Sequence, residues 1–325
     1  TTAEALNIIK PIMFRLFDES VTMSFLTSYG SYHVAENLRE MSFTADELRR
    51  TIIYAWLEFD GSMYMMQNGS EGMERVFRLV RDVMGGKQAG CVAFNHWRTA
   101  ENLLPGSYGA AAGAGFIPAK EYYTVYGGKY ALGEGFAPLM AEIAEADLLL
   151  REKLFNIGFC YLGCYLNWGG DDPVSWLAAY PEDALESARA IYLDAARRAE
   201  ELAESCGCAD GILRLRLISS RCRASAKHID YVLAMRSLSV YGKDGAPNDA
   251  SRSEIAGIIS KAQGFATEYM RILSEIMPDR GCQGTLVSYN CTILPYIDFI
   301  RRALLENDRS KTRYGATFDC PLPQG

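Results

Sequence analysis

Thr51-Ile52-Ile53-Tyr54-Ala55-Trp56-Leu57-Glu58-Phe59-Asp60-Gly61 is the stretch that decides the fold expected for this chain. Its first seven residues form an apolar run rich in β-branched and aromatic side chains, which is typical of a buried strand. The run stops at two acids and a turn-forming glycine. The stretch therefore predicts a strand whose end carries polar groups.

Two other apolar runs have strand character. Val21–Thr27 alternates in the manner of a strand, and Ala89–Phe94 is a short run of the buried parallel type. Helical patterns separate the runs, with a capped start at Thr44–Glu47 and an amphipathic helix over Gly72–Met84. Alternating helices and strands predict a parallel sheet that binds ligands just beyond the carboxyl ends of its strands.

The second half of the sequence has long helical periodicity and few strand signals. The helical patterns cover Phe136–Asn156, Glu182–Ser205, Gly211–Tyr241, Arg252–Ile276 and Leu286–Leu305. The predicted fold class is therefore α/β followed by all-α. An α/β segment over residues 1–120 is expected to pack on a helical domain over residues 121–325.

Composition and charge exclude several partner classes. Of the 325 residues, 40 are acidic and 33 basic, which gives a net charge of -7. These charges are spread without long runs of one sign, so we expect no nucleic-acid partner. No stretch approaches the roughly 18 apolar residues of a membrane span, so we expect no membrane association through such a span.

The cysteines and histidines do not form a recognisable metal motif. There are nine cysteines at irregular spacing and three histidines, and Cys206-Gly207-Cys208 is the closest pair. We expect no metal or cofactor, because no CxxC pair or Cys/His cluster has zinc-ligand spacing. Most of the cysteines are interpreted as reduced core thiols, which slightly favours the cytoplasm.

Glu58 and Asp60 are the candidate catalytic acid and base. They are two residues apart, so both side chains project from one face if the strand continues that far. Paired carboxylates cleave glycosidic bonds, one as an acid and the other as a base or nucleophile. Trp56 and Tyr64 would contact the sugar. The alternative is that Asp60-Gly61 makes a turn while Glu58 caps a neighbouring element.

The second candidate segment is Phe94-Asn95-His96-Trp97-Arg98-Thr99-Ala100-Glu101-Asn102. It mixes hydrogen-bond donors, acceptors and a stacking face, which suits a polyhydroxylated ligand. His96 is a candidate catalytic acid or base near neutral pH. The substrate-binding candidates here are Asn95, Trp97, Arg98 and Glu101. The alternative is that His96 and Arg98 only tie the strand end to the helical half.

A third candidate is Trp168, which lies in the glycine-rich segment Tyr161–Pro173 and offers a flat face for stacking on a sugar. The adjacent acids Asp171 and Asp172 precede a proline, which is more typical of a turn than of a metal pair.

The succession of strand ends at Trp56–Gly61 and Phe94–Asn102, followed by long helices, resembles the last strands of a TIM-barrel glycoside hydrolase with a helical C-terminal domain. The pattern is similar to the hexosaminidase and α-glucuronidase type, and Tyr122–Glu134 looks like the helix that leaves the barrel in such enzymes. The resemblance implies hydrolysis of O-glycosyl bonds in a carbohydrate, with sugar contacts from the strand ends.

A complete barrel takes eight strands and about 250 residues, whereas the segment before the helices has room for about three strands. The resemblance therefore implies a partial barrel segment. Either an N-terminal portion is missing, or the chain pairs with a partner that completes the sheet, or the α/β layer is another small fold. The alternative function is a noncatalytic helical binding or assembly module in which the strand-end groups only join two layers.

Overall fold

The computed structural model describes residues 2–29, 42–56, 70, 71, 74, 77, 78, 91–95, 103–154, 174, 177, 178, 180–241, 249–276 and 280–308. Within the strands, only the side chains of Met23 and Thr51 are described. The backbone divides into two compact units, one of Thr1–Ser62 with Gly69–Lys129, the other of Met63–Asn68 with Tyr130–Gly325. The predicted boundary at residue 120 remains a prediction.

In the residues that the structure describes, the first unit combines helices with three short strands. Its described elements are α1 (Thr2–Leu16), β1 (Met23–Tyr29), α2 (Ala45–Arg49), β2 (Thr51–Trp56), β3 (Cys91–Asn95), α3 (Leu103–Ala114) and α4 (Ala119–Lys129). The strands fall on the three apolar runs of the sequence and pair in parallel in the order β1-β2-β3. Met23 is the register partner of Thr51, and Ile52 is the partner of Cys91.

Several apolar residues of helix α1 are exposed. Ile8, Ile12 and Leu16 are 70%, 44% and 73% exposed, whereas Lys10 is buried. The Lys10 ammonium donates to Glu47 Oε2 at 2.7 Å and lies 4.9 Å from the centre of the Phe43 ring. A buried ammonium is tolerated here because it has both a carboxylate and an aromatic face as partners.

Helix α2 is short, and a capping box sets its start. Thr44 Oγ1 accepts from the Glu47 backbone N–H, and Glu47 Oε2 accepts from the Thr44 N–H at 2.7 Å. The same carboxylate oxygen binds Lys10, so Glu47 joins α1 to the start of α2.

The second unit is helical in the residues described. Its elements are α5 (Phe136–Leu154), α6 (Glu182–Ser205), α7 (Ala209–Ser237), a 3₁₀ turn (Leu238–Tyr241), α8 (Asp249–Ile276) and α9 (Arg280–Leu305). Helix α7 packs between α6 and α8, while α6 also packs on α5 and α8 on α9. Since α7 has a helix on each side, its middle is buried almost all round.

The spacing of buried residues explains this packing. In α8 six buried side chains recur at alternating intervals of four and three: Ile255, Ile259, Ala262, Ala266, Tyr269 and Leu273. Such spacing places them on one helix face. The buried face of α6 is rich in alanine, at positions 184, 188, 195, 196, 199 and 203, and such small side chains allow close helix approach.

The predicted fold class, a partial (β/α)-barrel segment packed on a helical domain, is wrong. The described part of the chain is overwhelmingly helical. Its short strands form an open three-stranded sheet in which β1 and β3 each pair with β2. A barrel needs about eight tilted strands that close on themselves. The prediction failed because local alternation of helix and strand character carries no information about closure, which depends on long-range pairing.

Candidate functional site

The carboxyl edge of the sheet carries two of the predicted sugar-binding residues. Trp56 ends β2, Asn95 ends β3, and these two residues are register partners in the parallel pair. Because parallel strands run in the same direction, the chain leaves both strands at the same edge. The structure therefore makes neighbours of two residues that are distant in sequence.

The other predicted site residues lie outside the described part of the chain. They are Glu58, Asp60 and His96, predicted to be catalytic, and Tyr64, Trp97, Arg98, Glu101 and Trp168, predicted to bind substrate. Their roles remain predictions.

The first unit contains a cluster of tyrosine and carboxylate side chains. We define it as Glu71, Glu74, Tyr108, Tyr122 and Tyr123. The hydroxyl of the fully buried Tyr123 accepts from the Ser70 backbone N–H at 2.8 Å and donates to Glu71 Oε2 at 2.8 Å. This hydroxyl therefore connects α4 to the segment at residues 70 and 71.

Glu74 makes the second connection to α4. Its Oε2 accepts from the backbone N–H of Ala119, the first residue of the helix, at 2.8 Å. A carboxylate is favourable there because the first N–H groups of a helix have no partners within it. Glu74 Oε1 also pairs with Arg78 Nε at 2.5 Å, and the Arg78 guanidinium lies 5.1 Å from the centre of the Phe116 ring.

Tyr108 and Tyr122 complete the cluster. The Tyr108 hydroxyl donates to the Ile117 carbonyl at 3.0 Å, and the two ring centres are 5.5 Å apart at an edge-to-face angle. Burial raises the pKa of Tyr108 above its ordinary value, and the nearby Glu74 carboxylate adds to the shift. Tyr108 therefore stays a neutral O–H donor, which suits a structural hydrogen bond rather than acid–base chemistry.

Sequence reasoning missed this cluster. The pattern over Gly72–Met84 indicated an amphipathic helix, but it did not reveal that Glu74 caps a helix 45 positions away. One local signal was present, because Tyr122, Tyr123 and Tyr126 repeat at a spacing that buries them together. The described contacts of the cluster join separate segments of the first unit. We therefore interpret the cluster as a structural one that stabilises the packing of this unit.

Charged side chains in the second unit also hold helices together. Asp230 of α7 accepts from Arg189 Nε of α6 at 2.5 Å and from Lys227 Nζ at 2.8 Å. Tyr192 of α6 donates to Asp147 Oδ1 of α5 at 2.6 Å. The Tyr192–Asp147 and Arg189–Asp230 bonds cross the α5–α6 and α6–α7 contacts, so they set helix register within the unit.

His228 lies in the core of the second unit. It is fully buried on α7, with its ring centre 5.8 Å from that of Tyr231 and 5.4 Å from that of Tyr269 on α8. This aromatic packing indicates a core histidine at the α7–α8 contact.

No group of three or more His, Cys, Asp or Glu side chains with metal-binding geometry occurs among the described residues. Within that same part of the chain, no helix has the length and apolar character needed to cross a membrane.

Comparison with models of known protein families, with curated proteins and with solved structures gave no match. The resemblance to a TIM-barrel glycoside hydrolase of the hexosaminidase and α-glucuronidase type is wrong, because the predominantly helical structure lacks a barrel segment in its described residues and no comparison supports that family.

Proposed function

We propose that the chain binds a carbohydrate at the carboxyl edge of the sheet in its first unit. The observation that carries the proposal is the register pairing of Trp56 with Asn95 at the ends of β2 and β3. Ligands of open parallel sheets bind beyond the carboxyl ends of the strands, where polar residues from adjacent strands converge.

The chemistry of the two residues suits a sugar. An indole ring offers a broad face for the C–H groups of a pyranose, and a carboxamide both donates and accepts hydrogen bonds, as neighbouring sugar hydroxyls require. In the sequence, the segments that follow the two strands contain Glu58, Asp60, His96 and Arg98. These side chains are further hydrogen-bond donors and acceptors for sugar hydroxyls.

Replacing Trp56 by alanine is expected to weaken sugar binding about tenfold, since an aromatic contact contributes roughly 0.5–1.5 kcal/mol beyond its buried area. Trp56→Phe should retain part of the affinity, and Asn95→Ala should weaken binding by loss of hydrogen bonds. The measurement is titration calorimetry against defined neutral and uronic-acid oligosaccharides. Val240→Ala, at a residue 71% exposed in the second unit, is the control.

Absence of binding by the unaltered protein to every oligosaccharide would contradict the proposal. So would equal affinities of the unaltered protein and of folded Trp56→Ala and Asn95→Ala variants. Chromatography of the same samples shows whether the oligosaccharide is cleaved. If the sugar is also hydrolysed, Glu58→Gln and Asp60→Asn should abolish product formation while they preserve binding.

The second candidate function is assembly of two copies of the chain through α1, and the exposed apolar face of that helix favours it. Ile8, Ile12 and Leu16 lie on one face of α1 and are all exposed. Glu4 lies one turn before Ile8, and Arg15 lies about one turn after Ile12. In an antiparallel pair related by a two-fold axis, Glu4 of one copy approaches Arg15 of the other.

Ile12→Glu is expected to convert a concentration-dependent dimer to a monomer, because it places a carboxylate in the centre of the apolar face. Light scattering across a concentration series measures the mass. Leu213→Glu, at a residue 56% exposed on α7, is the matched control. Glu4→Arg should weaken the dimer and Glu4→Arg with Arg15→Glu should restore it. A monomer at every concentration, or binding of α1 to lipid vesicles instead, would exclude this function.

A further inference from the structure

The link between α6 and α7 carries two cysteines separated by one glycine. The link consists of Cys206, Gly207 and Cys208, between Ser205 at the end of α6 and Ala209 at the start of α7. Cys206 and Cys208 both have extended backbones, with φ and ψ of -79° and 123° and of -109° and 121°. The Cys206 sulfur lies 3.5 Å from the Cys208 carbonyl oxygen, so it is close to the second cysteine.

These two thiols differ from Cys222 in their access to solvent. Cys206 and Cys208 are partly exposed, whereas Cys222 is fully buried in α7. Burial raises the pKa of the Cys222 thiol, and the Asp147 carboxylate adds to the shift. Cys222 is therefore protonated and inaccessible, and it serves as an internal reference for reactivity.

Cys206 also holds the turn that precedes α5. Its thiol donates to the Ala131 carbonyl at 3.3 Å, and Ala131 has a left-handed φ of 54°. A Cβ at Gly211 would lie 2.7 Å from Cys206 Sγ and 2.6 Å from the Tyr130 carbonyl oxygen. The first turn of α7, the cysteine link and the turn at Tyr130 and Ala131 are therefore in close contact around this sulfur.

We propose that Cys206 and Cys208 form a redox-active dithiol that exchanges with low-molecular-weight disulfides such as glutathione disulfide. The Cys208 thiolate attacks the small disulfide, whose sulfur–sulfur bond breaks to release one small thiolate. Cys206 then loses its proton and attacks the Cys208 sulfur of the mixed disulfide, and the second small thiolate leaves. The protein loses two electrons and two protons, and the small disulfide is reduced to two thiols.

Gly207 provides the freedom that ring closure needs. Two residues on an extended segment have Cα atoms about 6.6 Å apart, at the upper end of the range of about 4.4–6.8 Å for disulfides. Rotation at Gly207 brings the Cα atoms toward the commonest disulfide separation of about 5.5–6 Å, and no atom lies within 4 Å of the position of a Cβ there. In the disulfide, Cys206 has no S–H to donate, so the bond to Ala131 is lost and the turn before α5 is loosened.

The test is equilibration of the full chain in glutathione buffers of graded oxidation, followed by alkylation, trypsin digestion and mass spectrometry. The tryptic peptide Ala199–Arg214 contains Cys206 and Cys208 as its only cysteines. The expected product is the disulfide form of this peptide, whose mass is lower than that of the dithiol form by two hydrogen atoms and which carries no alkyl group. Cys222 should be fully alkylated after denaturation. Cys206→Ser should accumulate the mixed disulfide at Cys208, because the resolving thiol is absent.

A second measurement reports the loosened turn. Hydrogen exchange at the amides of the turn before α5 should be faster in the oxidised protein than in the reduced protein, and unchanged by the oxidant in Cys208→Ser. The proposal is overturned if mixed disulfides form on the unaltered protein without closing to the internal disulfide. It is also overturned if the disulfide forms and exchange in the turn stays the same.

Discussion

Replacement of Glu47 by alanine is expected to lower the free energy of unfolding of the first unit by about 1–3 kcal/mol, the usual cost of leaving a buried hydrogen-bonding group without its partner. The Lys10 side chain is 4% exposed and that of Glu47 is 13% exposed, with 2.7 Å between the ammonium and the carboxylate. The variant also loses the hydrogen bond from Thr44 N–H that caps α2. Hydrogen exchange at α2 amides measures the effect.

The same pair predicts a dependence on pH. Burial raises the pKa of Glu47, but the Lys10 ammonium and the Thr44 N–H outweigh it, and the net pKa is below the ordinary value. The ionised pair therefore stabilises the fold above the unfolded-state pKa of Glu47. This stabilisation is lost as the pH falls through the lower folded-state pKa. Glu47→Gln should remove this part of the acid dependence of unfolding.

Asp46→Ala is the matched control for Glu47→Ala. Asp46 is the neighbouring acid on α2, its side chain is 78% exposed, and it pairs with the exposed Arg49. Exposed pairs contribute little because water screens them. Similar losses of stability in the Asp46 and Glu47 variants would show that the buried pair does not stabilise the unit.

Gly211→Ala is expected to destabilise the second unit by about 1–3 kcal/mol, the range for overpacking a tight contact. The added Cβ would lie 2.6 Å from the Tyr130 carbonyl oxygen, 2.7 Å from Cys206 Sγ and 3.2 Å from Leu132 Cδ2. The nearest atom belongs to the backbone, so relief requires the turn before α5 to move away from α7. Urea unfolding followed by circular dichroism measures the loss.

Gly257→Ala provides the opposite expectation within the same unit. Gly257 lies in the middle of α8, and no atom lies within 4 Å of its added Cβ. Alanine there should raise the free energy of unfolding by about 0.5–1 kcal/mol, because it restricts the unfolded chain and has a higher helix propensity. Equal effects of the two substitutions would refute the close packing at Gly211.

The long helices could be predicted because their signals are local. The pattern over Glu182–Ser205, preceded by Pro181, coincides with α6, and the pattern over Arg252–Ile276 lies within α8. In each helix the apolar residues recur on one face, so the spacing alone indicates the structure. In α1, by contrast, exposed isoleucines and a buried lysine reverse the usual arrangement, which only the tertiary structure shows.

By itself, the sequence determined where the long helices run, because helix periodicity depends on residues three and four apart. Only the tertiary structure decided the open strand order and the pairings of Trp56 with Asn95, Lys10 with Glu47, and Cys206 with Ala131. The hydrogen-bonded partners are 37 and 75 positions apart. Contacts over such separations are selected by the packing of whole elements, and no local pattern specifies them.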